Sequence, residues 1–112
     1  MDVSYVLTDE ALVVAPVGRI DEATWEEFGS KLTSGLEQAS AQSRGTLVID
    51  LSGVDYMSSR GLRALTVAKQ QAKAVDVTIR LAAPNDVMRE ILAISRYDKL
   101  FAVEDHVPGG GT

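Results

Sequence analysis

The chain has no cysteine and a single histidine among its 112 residues. The first absence removes disulfide frameworks, thiolate metal sites and cysteine nucleophiles, and it fits a reducing compartment. The second removes most imidazole chemistry, because a Ser-His-Asp triad would have to use His106, which stands close to the tail Pro108-Gly109-Gly110-Gly111-Thr112. Basic residues are also the minority, 11 against 16 acidic ones, for a formal charge of −5. Phosphate backbones are gripped by clustered Lys and Arg, so a protein partner is expected and a nucleic-acid partner is not. No apolar run approaches the ~20 residues that a membrane helix needs. Met1-Asp2-Val3-Ser4 offers neither the basic nor the apolar region of a signal peptide. Direct membrane insertion is therefore not expected, and the cytoplasm is the expected location.

Motifs of common enzyme classes are missing as well. There is no glycine-rich run ending in Gly-Lys-Ser/Thr, and Gly53 and Gly61 stand too far from other glycines to form a dinucleotide fingerprint. Gly53-Val54-Asp55-Tyr56-Met57-Ser58 does not flank its serine with the two glycines of a nucleophile elbow. The adjacent acids Glu26-Glu27 and Glu104-Asp105 read as solvated faces. The chain is read as a non-enzyme, with no cofactor and no metal expected.

What is present is the composition of one folded domain: 46% apolar and 24% charged residues. The domain is expected over 1–106, with 107–112 as a flexible C-terminal tail. Tyr5 to Leu7 and Leu12 to Val17, joined by Thr8-Asp9-Glu10-Ala11, read as an antiparallel hairpin. Asp21 is placed to cap a helix whose apolar stripe is Trp25, Phe28, Leu32, Leu36 and Ala39. Trp25 reads there as a core anchor, with a binding-site aromatic as the alternative. Gly45 is a plausible stop before a buried strand from Leu47 to Leu51. A second helix carries Leu62, Leu65, Ala68 and Ala72 inward, and a further strand follows over Val75 to Leu81. Pro84 then opens a third helix that turns Val87, Ile91 and Ile94 inward, before a last strand over Leu100 to Val103. Strands that alternate with helices after the hairpin imply parallel neighbours and right-handed crossovers, hence an α/β fold.

The polar corner between the Leu47–Leu51 strand and the second helix carries the strongest functional signal. Ser58 and Ser59 stand where a helix needs acceptors for its first free N–H groups, and a cap is the plain reading. A hydroxyl there is also a candidate modification point. A phosphoryl group would meet free N–H groups and the positive end of the helix dipole while changing the surface by almost two charges.

Two motifs resemble the STAS domain of bacterial anti-sigma factor antagonists, a likeness that runs from about Val3 to Val103. One is Val17-Gly18-Arg19-Ile20-Asp21, similar to the family's Gly-x-Leu/Ile-Asp element. The other is Asp50-Leu51-Ser52-Gly53-Val54-Asp55-Tyr56-Met57-Ser58-Ser59-Arg60-Gly61-Leu62, similar to its strand, serine pair and Gly-Leu turn. The resemblance implies an α/β fold as a single STAS-like domain: an N-terminal β-hairpin, then alternating strands and helices, in a mixed sheet with helices packed on it. It implies as partners an anti-sigma factor that is also a serine kinase, and a protein phosphatase that reverses the modification. Counted back from Gly61, the register makes Ser59 the phosphoacceptor, with Ser58 as the alternative.

Asp21, Ser58, Ser59, Arg60 and Arg63 are the partner-binding residues it implies, Asp21 being equally well read as a cap. Arg19 and Asp55 read as solvated charges. The chain departs from the family in having Ser58 for an aspartate, Arg60 for the second hydroxyl residue and Arg96 for a glycine, and in showing no helix after His106. Arg60 or Arg63 is expected to pair with a phosphate on Ser59. The alternative function is a STAS module that is never phosphorylated and serves as a constitutive subunit or scaffold of a signalling or lipid-transport complex.

Overall fold

The computed structural model describes residues 1–108. The order of elements is β1 (Asp2–Leu7), β2 (Leu12–Ile20), α1 (Trp25–Ala41), β3 (Thr46–Asp50), β4 (Val54–Met57), α2 (Ser59–Ala74), β5 (Thr78–Ala82), α3 (Asp86–Ile94), a 3-10 turn (Tyr97–Lys99) and β6 (Ala102–Glu104). The strands form one sheet in the order β1-β2-β3-β5-β6, with β4 paired to β2. The hairpin β1-β2 is antiparallel, and β3, β5 and β6 follow in parallel, as the alternation with helices requires.

The main core lies between one face of this sheet and the helices. Leu12, Val14, Leu47, Ile49, Ile79 and Leu81 point into it from alternate strand positions and meet Phe28, Leu32, Leu36, Leu62, Leu65 and Leu92. The opposite face carries a small apolar cluster of Ala11, Val13, Val48 and Ala82, against which Val107 packs. Val107 and Pro108 are the part of the expected tail 107–112 that is described; 109–112 lie outside the described residues. No helix of the described residues is long and apolar enough to cross a membrane.

Several boundaries differ from the reading of the sequence. Strand β4 was not anticipated, because its four residues run buried Val54, exposed Asp55, half-buried Tyr56 and buried Met57, without strand alternation, and so look like a corner. Helix α1 ends at Ala41, before Gly45, and the chain reverses at Ser43 with φ 55°. Val75 ends α2, and strand β5 starts only at Thr78. Pro84 lies ahead of the N-cap Asn85, outside the first turn of α3.

The inward face of α3 is set by Met88 and Leu92, with Ile91 half-buried, whereas Val87 and Ile94 are 51% and 76% exposed. Both sets have helical spacing; the phase is chosen at Asn85. Its Oδ1 accepts from the Met88 N–H at 2.8 Å, and its Nδ2 donates to the Val54 carbonyl at 3.0 Å, which ties α3 to β4. The last strand begins at Ala102, because Tyr97–Lys99 is taken up by the 3-10 turn. Arg96, standing where the family resemblance has glycine, enters that turn in the left-handed region at φ 63°.

Asn85→Ala removes a cap hydrogen bond and the link to β4, so it is expected to cost about 0.5–2 kcal/mol. Urea denaturation followed by circular dichroism measures it; an unchanged midpoint would refute the role assigned to this side chain.

Candidate functional site

Two glycines build the serine corner. Gly18 has φ +110°, a conformation that side chains rarely tolerate, and the pairing of β2 with β4 shifts register between Gly18 and Arg19. Strand β2 therefore runs beside β3 through Leu12, Val13 and Val14 and beside β4 through Arg19 and Ile20. Gly61 lies in the first turn of α2, where an added Cβ would stand 2.5 Å from Met57 Cγ and 2.7 Å from Ile20 Cγ2. The helix can thus begin directly against the ends of β2 and β4. The Ser58 N–H donates to the Ile20 carbonyl at 2.8 Å and closes the junction. The two motifs singled out in the sequence are in this way brought to one end of the sheet.

The two serines differ sharply in environment. Ser58 is the N-cap of α2 by backbone conformation, and the Leu62 N–H donates to its carbonyl. Its hydroxyl makes no cap hydrogen bond; Oγ is buried with no partner among the described residues. The expectation of a hydroxyl cap is corrected on this point. Ser59 is the first residue of α2 and is exposed.

Asp21 lies at the same end, immediately after β2, but it does not cap α1. The N-cap is Thr24, again without a side-chain cap bond. Asp21 instead closes the turn before the helix, its Oδ1 accepting from the Ala23 N–H at 3.0 Å and its Oδ2 from Arg19 Nε at 3.2 Å. The helix starts three residues later than a cap at Asp21 would suggest, because this turn intervenes. Arg19 is not simply a solvated charge: its guanidinium also lies 4.2 Å from the centre of the Tyr56 ring.

Arg60 Nε meets Glu22 Oε2 at 2.6 Å, and its guanidinium stands 5.4 Å from the centre of the Trp25 ring. Arg63 is exposed one turn further along α2. Both arginines, Ser59 and Trp25 line a groove of about 810 Å³ between α1 and α2, floored by Gly29, Ala64 and Ala68. Trp25 is half-buried: it packs against the core and also lines the groove wall. Glu22 was missed by sequence reasoning. The only signal for it is its place directly after Asp21, and nothing in spacing pairs it with Arg60.

The geometry thus defines a class: a one-sheet α/β domain that presents a serine at a helix N-terminus, beside the end of a glycine-kinked strand. The STAS domain family model matches residues 2–109, and the chain belongs to that family. It is 26% identical over 95 residues to BtrV of Bordetella bronchiseptica, provisionally named an anti-sigma factor antagonist, a match covering 85% of this chain and 78% of that protein. An anti-sigma factor antagonist from Mycobacterium paratuberculosis has a similar structure, with TM-score 0.77 at 24% identity over 95% of this chain and 86% of that one. The anti-sigma factor antagonist SpoIIAA in its unphosphorylated form gives 0.70 at 18% identity, covering 91% and 87% of the two chains. The phosphorylated form of Bacillus SpoIIAA gives 0.62 at the same identity, covering 91% and 90%. At such identities the solved structures establish likeness of fold.

Two consequences can be measured. Ser58→Ala removes a buried hydroxyl that has no partner, so stability is expected to hold within about 0.5 kcal/mol or to rise, unlike a working cap; a loss above 1 kcal/mol would sink that account. Trp25 is the sole tryptophan, so Arg60→Ala is expected to shift its fluorescence emission, and Glu22→Gln to shift it in the same direction by a smaller amount. Identical spectra for all three proteins would show that the contact is not held in solution.

Proposed function

We propose that this domain is an anti-sigma factor antagonist that binds an anti-sigma factor with serine-kinase activity and is released by phosphorylation of Ser59. The observation that carries the reading is the contrast at the corner: the Ser59 side chain is open to a kinase, whereas Ser58 Oγ is buried. The family membership and the named relatives point the same way. A protein phosphatase would restore the binding form.

Charge and solvation supply the mechanism. Unmodified, the corner of Asp21, Ser58, Ser59, Arg60 and Arg63 docks on the partner with a neutral hydroxyl at its centre. The kinase transfers the terminal phosphoryl group of ATP to Ser59 Oγ, releasing ADP and the hydroxyl proton. That adds about −1.5 to −2 charges at neutral pH. At a buried interface this charge is poorly solvated, and a penalty of ~3 kcal/mol lowers affinity more than a hundredfold. Inside the domain the same group is tolerated, because the first N–H groups of α2 face it and lack intrahelical acceptors.

Ser59→Ala is expected to bind the partner constitutively and Ser59→Asp to bind it poorly. A pull-down with the cognate anti-sigma factor compares them, and intact mass of protein from its own host reports a single added phosphate. Equal binding by the two variants, with no added mass, would replace the switch by the constitutive scaffold reading.

A further inference from the structure

Strand β1 is the last strand on its side of the sheet. Which of its backbone groups face outward follows from the ladder. The Thr8 N–H donates to the Ala11 carbonyl at 2.8 Å, which makes these two residues a hydrogen-bonded pair. Alternation along an antiparallel ladder then makes Asp2, Ser4 and Val6 the residues bonded to β2, opposite Val17, Ala15 and Val13. Pro16 has no N–H and stands opposite Val3, which fits only this parity. The N–H and C=O groups of Val3, Tyr5 and Leu7 therefore point away from the sheet.

Among the described residues, the strand itself carries little of the usual edge protection. Asp-Val-Ser-Tyr-Val-Leu contains no lysine, arginine, proline or glycine, and its pairing with β2 runs without a bulge. Val6, Leu7 and Val17 are 54%, 45% and 53% exposed, so the open backbone is bordered by open apolar side chains.

We propose that β1 is a self-association edge, on which a second copy of this chain pairs its own β1 antiparallel about a two-fold axis at Tyr5. The occupant is identified by self-complementarity. With the axis there, Val3 faces Leu7 of the second copy, Tyr5 faces Tyr5, and Leu7 faces Val3, so every outward N–H and C=O of the strand gains a partner. Moving the axis to Ser4 would pair Leu7 with Met1, outside the strand, and a shift of one residue would set outward groups against inward ones. No like charges face each other, since Asp2 comes opposite Thr8. Ser4 comes opposite Val6 on the face away from the helices, covering an apolar side chain that the monomer leaves exposed.

The Ser59 corner adjoins Ile20, beyond the part of β2 that pairs with β1, so it stays free in such a dimer. Two corners on one body would bind a two-site partner with the gain that an intramolecular second contact brings. That consequence rests on the proposed antagonist reading; the association itself does not.

Sedimentation of the full chain across micromolar to millimolar concentration tests the association without any partner protein. Wild type is expected to shift from monomer to dimer. Ser4→Lys with Val6→Lys sets introduced lysines opposite each other twice and is expected to weaken the dimer about tenfold or more, whereas Ser4→Lys with Val6→Glu retains it. Because the chain has no cysteine, Ser4→Cys protein mixed with Val6→Cys protein gives a second readout that needs no charge change. These positions form a non-hydrogen-bonded pair across the interface, where Cα atoms lie ~4.5 Å apart, within disulfide reach. The mixture should cross-link more efficiently than either variant alone. A chain monomeric throughout, equal dimerisation of the two charge variants, or equal cross-linking of Ser4→Cys by itself overturns the proposal.

Discussion

The close approach of α2 to the sheet at Gly61 is the constraint on which the rest of the corner depends. A Cβ at that position would collide with Met57 and Ile20, both almost fully buried, so neither can yield without opening a void. Removing the side chain lets the helix start against the strand ends, where the Ser58 N–H reaches the Ile20 carbonyl. That single bond sets the chain direction into α2. It leaves one serine facing in and the next facing out, and it places Arg60 within reach of Glu22. The register of the second motif is therefore a packing requirement first and a chemical one second.

The other half of the constraint is the bend at Gly18. Strand β2 has to pair with β1 and β3 along its first part and with β4 near its end. A regular strand cannot do this in one plane, and the register shift at a positive-φ glycine supplies the change of direction. Ile20 is carried into the core by that bend, and Ile20 is what Gly61 packs on. The two glycines are far apart in the chain but solve one geometric problem, which is why both motifs are needed to define the corner.

Most of the fold was legible because burial was periodic. The stripe Phe28, Leu32, Leu36 and Ala39 and the stripe Leu62, Leu65, Ala68 and Ala72 are both fully buried, and the Leu47–Leu51 run is buried except at Asp50. The readings that failed did so where periodicity was short or ambiguous. Strand β4 spans four residues, too few to show a period. Helix α3 has apolar residues on two faces, and the choice between them was made by Asn85 bonding to Val54, a long-range contact that no local pattern encodes. At the site, the two motifs that meet at the sheet end were legible, but the partner of Arg60 was not. Glu22 reaches it across the sheet end, and sequence distance hides such pairs.

The arginine that departs from the family pattern alters how the corner would handle a phosphate. In the unmodified protein its ion pair with Glu22 is exposed on both sides, 55% and 68% for the side chains, and such pairs contribute at most about 1 kcal/mol. Its position over Trp25 adds a similar, small amount at a partly exposed site. A phosphoryl group carries nearly twice the charge of a carboxylate and takes the planar guanidinium in a two-bond grip. It would therefore compete well with Glu22 for Arg60, without disturbing any buried contact. Pairing with Arg60 would also cancel part of the added charge, so a switch at this corner has to act through the bulk and desolvation of the phosphate as well as through its sign. The surface next to Trp25 would be rearranged by the same exchange, because the guanidinium that covers the ring is the one the phosphate recruits. A phosphate on Ser59 would thus reach beyond the serine to the wall of the groove between α1 and α2, and a partner that reads the groove would sense it even where it does not touch the serine.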